Sequence, residues 1–217
     1  MTLATQLIDL QNNLKQKIPA EKFAIMLEET EKLIDTGITE QVPKVGSQVA
    51  NFELKNQNGQ ARTLDELLQQ HNKLVVTFYR GGWCPYCNLE LRAYQQSLSA
   101  INEAGAGLVA ITPELPDNSL DTAEKNQLEF EVLTDQNASY AKELGIVFSL
   151  PESLRPIYSD LGIDIEKHNG QGQFDLPLAA TFIIGQNRQV LATYVDADYT
   201  KRKEPSEVIN DLKTLSE

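Results

Sequence analysis

The chain has 217 residues, of which 41% are hydrophobic and 23% are charged. This length fits one domain with an appendage, and the apolar fraction excludes an intrinsically disordered chain. Acidic residues number 31 against 19 basic ones, so the formal charge of −12 disfavours binding to nucleic acids and to membrane surfaces. The sequence shows neither an apolar run long enough to span a bilayer nor a secretory leader, and we therefore expect a soluble, cytoplasmic protein.

Residues 1–42 predict an N-terminal helical extension in front of a main domain at residues 43–217. A helical spacing of three and four is shown by Leu3, Leu7, Leu10, Leu14 and Ile18. Pro19 interrupts this pattern, and a second amphipathic segment ends near Gly37. We expect the two helices to lie antiparallel against each other, either as a packing element or as the arm of a homodimer.

From Val45 onward the sequence alternates strands with helices, which predicts an α/β fold. Its features, in chain order, are a hairpin turn at Asn58-Gly59, a capping box at Thr63–Glu66, a buried strand at 74–79, strands near 108–112 and 130–134, helices near 120–127 and 139–144, a hairpin at 181–184 and 190–195, and a helix at 205–215. Residues 151–176 are read as an irregular insertion near the active face. The order of elements predicts a mixed central sheet with helices on both faces.

The only two cysteines, Cys84 and Cys87, form one C-x-x-C motif after the predicted buried strand. A glycine turn leads into the first turn of a helix, where unpaired N–H groups favour a thiolate. We expect Cys84 to lie at the surface as the attacking sulfur and Cys87, one turn further along, to resolve the intermediate. Pro85 suits the first helical turn, because its missing N–H costs nothing there.

Other roles for the two cysteines have less support. A zinc site needs four ligands, and the two histidines, His71 and His168, are not at ligand spacing. A structural disulfide across so short a loop would remove little loop-closure entropy, and inert core cysteines remain an alternative. We therefore expect thiol redox chemistry without a metal or any other cofactor.

The run Arg80-Gly81-Gly82-Trp83-Cys84-Pro85-Tyr86-Cys87 resembles the thioredoxin superfamily, with a glutaredoxin-type Cys-Pro-Tyr-Cys core. Residues 45–54 and 181–184 resemble the opening and the late strand of peroxiredoxins, the alkyl hydroperoxide reductase/thiol-specific antioxidant family. The resemblance implies a thioredoxin-like fold and an antioxidant peroxidase with Cys84 as peroxidatic nucleophile and a Cys84–Cys87 disulfide as product. Hydroperoxides would be its substrates, and a thioredoxin-like or glutathione-based reductant would recharge it.

Two positions depart from the pattern of that family. Gly81 stands where peroxiredoxins usually carry Thr or Ser, and Ala179 stands where they carry an Arg. Ala179 also occupies the place of the thioredoxin cis-proline, so we expect a trans bond there. These departures keep two alternatives open, which are a protein disulfide reductase acting on disulfide substrates and a non-enzymatic redox sensor or scaffold.

Four residues around the cysteines are candidates for contacts with substrate: Arg80, Trp83, Pro85 and Tyr86. For Arg80 the alternative is a strand-end charge in solvent, and for the two aromatic side chains it is packing against the redox helix. The remaining polar residues are interpreted as surface groups, and this set comprises Glu90, Arg92, His71 and His168. Residues 196–203 either fold over the active face or form a plain loop.

Overall fold

The computed structural model describes residues 1–215. Its α-helices are, in chain order, α1 (Leu3–Lys17), α2 (Ala20–Asp35), α3 (Leu64–Gln70), α4 (Pro85–Glu103), α5 (Pro116–Lys125), α6 (Ser139–Glu143), α7 (Arg155–Asp160), α8 (Ile165–Asn169) and α9 (Pro205–Thr214). Its strands are β1 (Glu53–Asn56), β2 (Ala61–Thr63), β3 (Lys73–Phe78), β4 (Ala106–Thr112), β5 (Glu131–Thr134), β6 (Val147–Ser149), β7 (Asp175–Pro177), β8 (Ala179–Ile184) and β9 (Val190–Asp196).

A seven-stranded sheet in the order β2-β1-β5-β4-β3-β8-β9 forms the centre of the fold. Strands β3, β4 and β5 run parallel, whereas the pairs β3–β8, β8–β9, β1–β2 and β1–β5 are antiparallel. Strands β6 and β7 form a separate two-stranded ribbon. The predicted α/β class with a mixed central sheet is confirmed.

Strand β3 is buried on both faces and shows how the helices cover the sheet. Leu74, Val76 and Phe78 join the hydrophobic cluster that contains α3 and α6, while Val75 joins the cluster that contains α4 and α9. Side chains alternate along a strand, so consecutive residues of β3 serve opposite cores. This arrangement brings the carboxyl end of β3 to the start of α4.

Local sequence signals explain most of the elements. The β1–β2 hairpin turns at residues 57–59, and Thr63 with Glu66 completes the predicted capping box at the start of α3. Helix α4 buries Cys87, Leu91, Tyr94 and Ile101 along one face, and Leu98 of the same face is half-buried. The described residues contain no cis peptide bond, which agrees with the trans bond expected at Ala179.

The two N-terminal helices pack on different parts of the chain. Helix α1 places Leu3 and Leu7 in the cluster of α4, whereas Met26 of α2 packs with Leu154 and Tyr158. The helices share few contacts with each other, so the predicted antiparallel pair is wrong. The apolar residues of the two helices pack mainly on different partners, and only the end of α1, at Leu14, also lies against the cluster of Met26.

The segment 151–176 is more regular than the sequence suggests. It contains α7, α8 and the first residues of β7. Prolines and glycines in this segment predict irregular structure, but its apolar side chains form a third small core with α2. Within residues 1–215, no helix combines the length and the apolar character needed to cross a bilayer.

Candidate active site

Cys84 caps the N-terminus of α4, and its side chain is fully buried. The predicted position at the helix start is confirmed, but the predicted exposure at the surface is wrong. Two side chains cover the sulfur: the guanidinium of the nearby Arg80 lies against it, and the ring of Tyr199, from a distant part of the chain, lies over that guanidinium. Reagents therefore reach Cys84 only past these side chains.

Arg80 lies two residues after the end of β3 and is only 4% exposed. Its Nη2 donates to the Cys84 Sγ at 3.3 Å, and its Nη1 donates to the Tyr158 hydroxyl at 3.2 Å. The guanidinium carbon lies 4.2 Å from the centre of the Tyr199 ring and 5.1 Å from that of Trp83. The interpretation of Arg80 as a solvent-exposed strand-end charge is therefore wrong, and its alternative pairing with the thiol matches the geometry.

Cys87 is also fully buried, and a second arginine lies against its sulfur. Arg202 Nη2 donates to the Cys87 Sγ at 3.4 Å, and Arg202 Nε donates to the Glu90 carboxylate. The side chains of Arg202 and Glu90 are 2% and 3% exposed. The prediction of Glu90 as a solvated surface charge is wrong, because the helix face that carries Cys87 also carries Glu90 one turn later.

The pKa values of the two thiols shift in opposite directions, because the neighbouring charges stabilise a thiolate on Cys84 more than one on Cys87. Burial opposes ionisation of Cys84, but the hydrogen bond with Cys87 and the charges of Arg80 and Arg202 hold the pKa of Cys84 well below its usual value. Burial, the hydrogen bond with Cys84 and the negative charge on that sulfur raise the pKa of Cys87 well above its usual value. One negative charge is thus shared by the pair and lies mainly on Cys84.

The glycine turn before Cys84 is held by a buried carboxylate. The Gly82 amide donates to Glu114 Oε2 at 2.9 Å, and Glu114 Oε1 lies 2.8 Å from His168 Nδ1. The prediction of His168 as a surface residue without a partner is wrong, since α8 brings it to this carboxylate. A Cβ on Gly82 would lie 2.0 Å from the Thr122 Oγ1, so the close packing of the turn requires glycine there.

The other candidate residues have separate positions around the turn. Pro85 occupies the first turn of α4 and is exposed, as its missing N–H permits. Trp83 is half-buried and packs edge-on against Tyr158, while the buried Tyr86 packs edge-on against Tyr199. Packing therefore accounts for Tyr86, and Trp83 remains at the rim.

Residues 197–204, which we call the C-terminal strap, fold over the active face between β9 and α9. Tyr199 and Arg202 of this strap reach Arg80 and Cys87. The predicted cover by residues 196–203 is thus confirmed against the alternative of a plain loop. Arg92 is exposed, as predicted, and donates to Asn126 Oδ1. His71 is half-exposed and packs over Gly107 of β4.

A cavity of about 200 Å³ lies between α2 and the segment around α7 and reaches Arg80. Its wall is mainly apolar, with Leu33, Leu154 and Tyr158 among the lining residues. In residues 1–215, no group of three or more His, Cys, Asp or Glu side chains is placed to hold a metal ion.

Residues 45–193 match the model of the AhpC/TSA family. The chain belongs to this family. A chloroplastic peroxiredoxin Q of Triticum aestivum is 27% identical over 79% of this chain and 80% of its own length. Peroxiredoxin Bcp of Escherichia coli is 24% identical over 48% of this chain and 65% of its own length.

Solved structures of AhpC/TSA proteins share the fold of the chain. Peroxidoxin BcpB from Mycobacterium tuberculosis superposes with a TM-score of 0.63 at 22% identity, covering 81% of this chain and 99% of that one. The predicted thioredoxin-like fold is confirmed by this likeness. The predicted membership in the peroxiredoxin family is confirmed by the match to the family model.

The two departures from the family pattern have different surroundings. A Cβ on Gly81 would lie 2.2 Å from the Trp83 Nε1, so a threonine there would displace the tryptophan. Ala179 begins β8 and lines a cavity of about 550 Å³ that Glu90 and Arg202 also line.

Several residues of the site escaped the sequence reasoning. Tyr158 and Glu114 lie far from the cysteines in sequence, and no local motif marks them. Arg202 belongs to the basic run 201–203, and this run was the one sequence signal that the strap could meet an anionic group such as Glu90. Glu90 had a signal as well, because it follows Cys87 by three residues and shares its helix face.

Proposed function

We propose that the chain is a thiol peroxidase that reduces hydroperoxides, with Cys84 as the nucleophile and Cys87 as the resolving thiol. Membership in the AhpC/TSA family and the relatives named peroxiredoxin support this reaction. The assignment of the two cysteines to these roles rests on their different acidities and on the placement of Arg80.

The observation that carries the proposal is an unpaired donor beside the acidic thiol. Arg80 contacts the Cys84 sulfur with Nη2, while its buried Nε has no hydrogen-bond partner among the described residues. An unpaired buried donor typically costs about 1–3 kcal/mol, so a native protein keeps one where a ligand will pair with it. An oxygen of a hydroperoxide is an acceptor of the right size for this place.

In the first step, the Cys84 thiolate attacks the terminal oxygen of the hydroperoxide. The sulfur–oxygen bond forms, the oxygen–oxygen bond breaks, and the leaving alkoxide or hydroxide takes a proton. The Arg80 guanidinium lies where negative charge grows on the oxygens, and a fixed donor of this kind typically contributes about 10²–10³ in rate.

In the second step, Cys87 attacks the sulfenic acid of Cys84, which releases water and closes a Cys84–Cys87 disulfide. The placement of both sulfurs at the start of α4, with Cys84 at the N-cap and Cys87 in the first turn, supports this pairing. A thioredoxin-like dithiol would restore the two thiols by disulfide exchange, with a glutathione-based reductant as the alternative. Such a cycle needs a reducing compartment, in keeping with the expected cytoplasmic location.

The buried sulfur favours a small substrate over a protein disulfide. Cys84 has no exposed surface, so the disulfide of another protein, like the protein dithiol that recharges the thiols, could reach it only after Tyr199 and Arg80 had moved. A peroxide needs only a narrow path, and the cavity that ends at Arg80 offers one. The disulfide reductase and the non-enzymatic sensor therefore remain weaker alternatives.

Rapid-mixing kinetics on the reduced protein test the proposal. Wild type and Cys84→Ser are mixed with hydrogen peroxide and with an alkyl hydroperoxide, and reduction of insulin disulfides is measured on the same preparation. We expect wild type to consume peroxide far faster than free cysteine thiolate does, and Cys84→Ser to be inactive. Cys87→Ser should still react once, since it keeps the nucleophile. A peroxide rate equal to that of free cysteine would refute the proposal.

The exposed side of α2 supports the homodimer expected from the N-terminal helices. Leu27 and Ile34 are each 46% exposed and, seven residues apart, share one side of the helix, which a second copy of the chain would cover. Sedimentation equilibrium of wild type and Leu27→Glu tests this point. A monomeric wild type at micromolar concentration would exclude the dimer.

A further inference from the structure

The C-terminal strap is ordered by a turn near its start and by a contact with α1 at its end. Near its start, Asp198 Oδ1 accepts from the amide and the hydroxyl of Thr200, which closes a turn within the strap. At its end, the Glu204 carboxylate accepts from the Leu3 and Ala4 amides and caps α1. The strap is thus anchored to the fold through Glu204, and Arg202 lies two residues before this anchor.

The Arg202–Glu90 ion pair is buried to a degree that stability alone does not explain. Taking two charges out of water costs more than their attraction usually returns, and well-packed apolar residues commonly do as well or better. Arg202 uses Nε for Glu90 and Nη1 for the carbonyls of Tyr199 and Lys201, which leaves Nη2 for the Cys87 sulfur. The pair therefore delivers a fixed cation to one particular atom.

The negative charge on the two sulfurs moves during the proposed cycle, and Arg202 lies where it can stabilise that charge on Cys87. In the reduced protein Cys84 holds the negative charge, and that charge keeps Cys87 protonated. When Cys84 becomes a neutral sulfenic acid, the repulsion disappears and the attraction of Arg202 for a Cys87 thiolate remains. The pKa of the second thiol therefore falls at the stage of the cycle that needs its thiolate.

We propose that Arg202 is a second catalytic residue, which stabilises the thiolate of Cys87 both when it attacks and when it leaves. This inference rests on the proposed function. In the attack, the Cys87 thiolate forms the sulfur–sulfur bond with Cys84, whose sulfenic hydroxide leaves and takes a proton to become water. In the return, a thiolate of the reductant bonds to Cys84, and the electrons of the broken disulfide leave on Cys87 beside Arg202.

The test removes the cation without leaving the carboxylate buried alone. The double variant Arg202→Met/Glu90→Gln is neutral in both positions, and Arg202→Lys keeps the charge as a conservative rescue. Lys201→Met is the matched control, because it removes the same charge from the same strap. The Lys201 side chain is 63% exposed, and its ion-pair partners among the described residues are Asp196 and Asp198 at 3.8–3.9 Å. Circular dichroism establishes that each variant is folded.

The first arm follows the fluorescence of Trp83, the single tryptophan, after rapid mixing with hydrogen peroxide. Its fast phase reports oxidation of Cys84 and its slow phase reports formation of the disulfide. We expect the slow phase of the double variant to be about tenfold slower at pH 7 and to recover as the pH rises, because a higher pKa lowers the thiolate fraction more than it raises nucleophilicity. Arg202→Lys should restore most of the rate. A slow phase within twofold of wild type at every pH would overturn the proposal.

The second arm needs no peroxide and separates this inference from the proposed function. The Cys84–Cys87 disulfide is prepared with oxidised dithiothreitol, and its reduction by dithiothreitol is timed. We expect about a tenfold loss in the double variant and none in Lys201→Met, because a leaving thiol of higher pKa departs more slowly. If wild type ignores peroxide but this loss is found, the peroxidase fails and the role of Arg202 stands. If wild type reduces peroxide and neither arm detects a loss, the role of Arg202 fails alone.

Discussion

Replacing Arg80 with methionine should raise the pKa of the Cys84 thiol and slow its oxidation. Methionine fills much of the same space without a charge, so the perturbation is mainly electrostatic. The guanidinium donates to the sulfur from 3.3 Å, and it is almost fully buried. Two opposite unit charges about 4 Å apart attract by about 4 kcal/mol at an effective dielectric constant near 20.

That attraction corresponds to about three pKa units, because one unit equals about 1.4 kcal/mol. Arg202, the hydrogen bond from Cys87 and the helix N-terminus remain in the variant, and new water screens part of the loss. We therefore expect a rise of about two units in the first apparent pKa of the thiol pair. The rate with hydrogen peroxide at pH 7 should fall by about 10² or more, since the oxygens also lose a donor.

Thiolate absorbance in the ultraviolet, followed against pH, measures the first apparent pKa of the pair directly. Arg155→Met is the control, because Arg155 is also stacked on an aromatic ring, that of Phe174 at 3.9 Å, and its Nε donates to the Leu150 carbonyl rather than to a sulfur. Its pKa curve should match that of wild type. An Arg80→Met protein that folds normally and titrates like wild type would refute the assignment of Arg80 as the main cation of Cys84.

Three further substitutions change the glycine turn before Cys84, the buried Tyr86 and the Tyr199 ring that lies over Arg80. Gly82→Ala should lower the free energy of unfolding by about 1–3 kcal/mol, because the new Cβ would lie 2.0 Å from the Thr122 Oγ1. Burial raises the pKa of Tyr86 to about 12, so as the pH rises above about 10 the phenol ionises first in the unfolded chain and the free energy of unfolding falls. Tyr86→Phe removes this group, and the variant should therefore lose less stability than wild type between about pH 10 and 12. Tyr199→Ala should speed alkylation of Cys84 by iodoacetamide, since it removes a ring from over the site.

Each of these has its own measurement and control. Urea unfolding checks Gly82→Ala, and Gly172→Ala, where a Cβ meets no atom within 4 Å, should lose only the smaller cost of its left-handed backbone. Unfolding at a series of alkaline pH values checks Tyr86→Phe, and a slope identical to that of wild type would contradict the stated cause. Mass spectrometry of timed alkylation checks Tyr199→Ala, and an unchanged rate would show that another side chain limits access.

The elements of the fold that depend on neighbouring residues were predictable from the sequence. Pro85 and the preceding cysteine mark the start of α4, and the capping box at Thr63 marks the start of α3, because a helix end is decided within one turn of chain. The buried run of β3 was equally clear, since its apolar residues serve both faces of the sheet. These signals place Cys84 at a helix N-terminus without any knowledge of the tertiary structure.

The environment of the sulfurs was less predictable because it is assembled from distant segments. Arg202 meets Cys87 across 115 residues of chain, and Tyr158 meets Arg80 across 78. A charged residue such as Glu90 is expected at the surface on general grounds, and only its partner from the strap makes its burial tolerable. The burial of Cys84 could not be read from its own neighbours for the same reason.

The family match ends at residue 193, whereas Tyr199, Arg202 and Glu204 come after it. A chimera that joins residues 45–193 to other flanking sequences would keep both cysteines and Arg80. It would lack the Tyr199 ring that lies over Arg80 and the Arg202 guanidinium beside Cys87. In this chain the cation that faces the resolving thiol is therefore supplied by a segment outside the region that matches the family model.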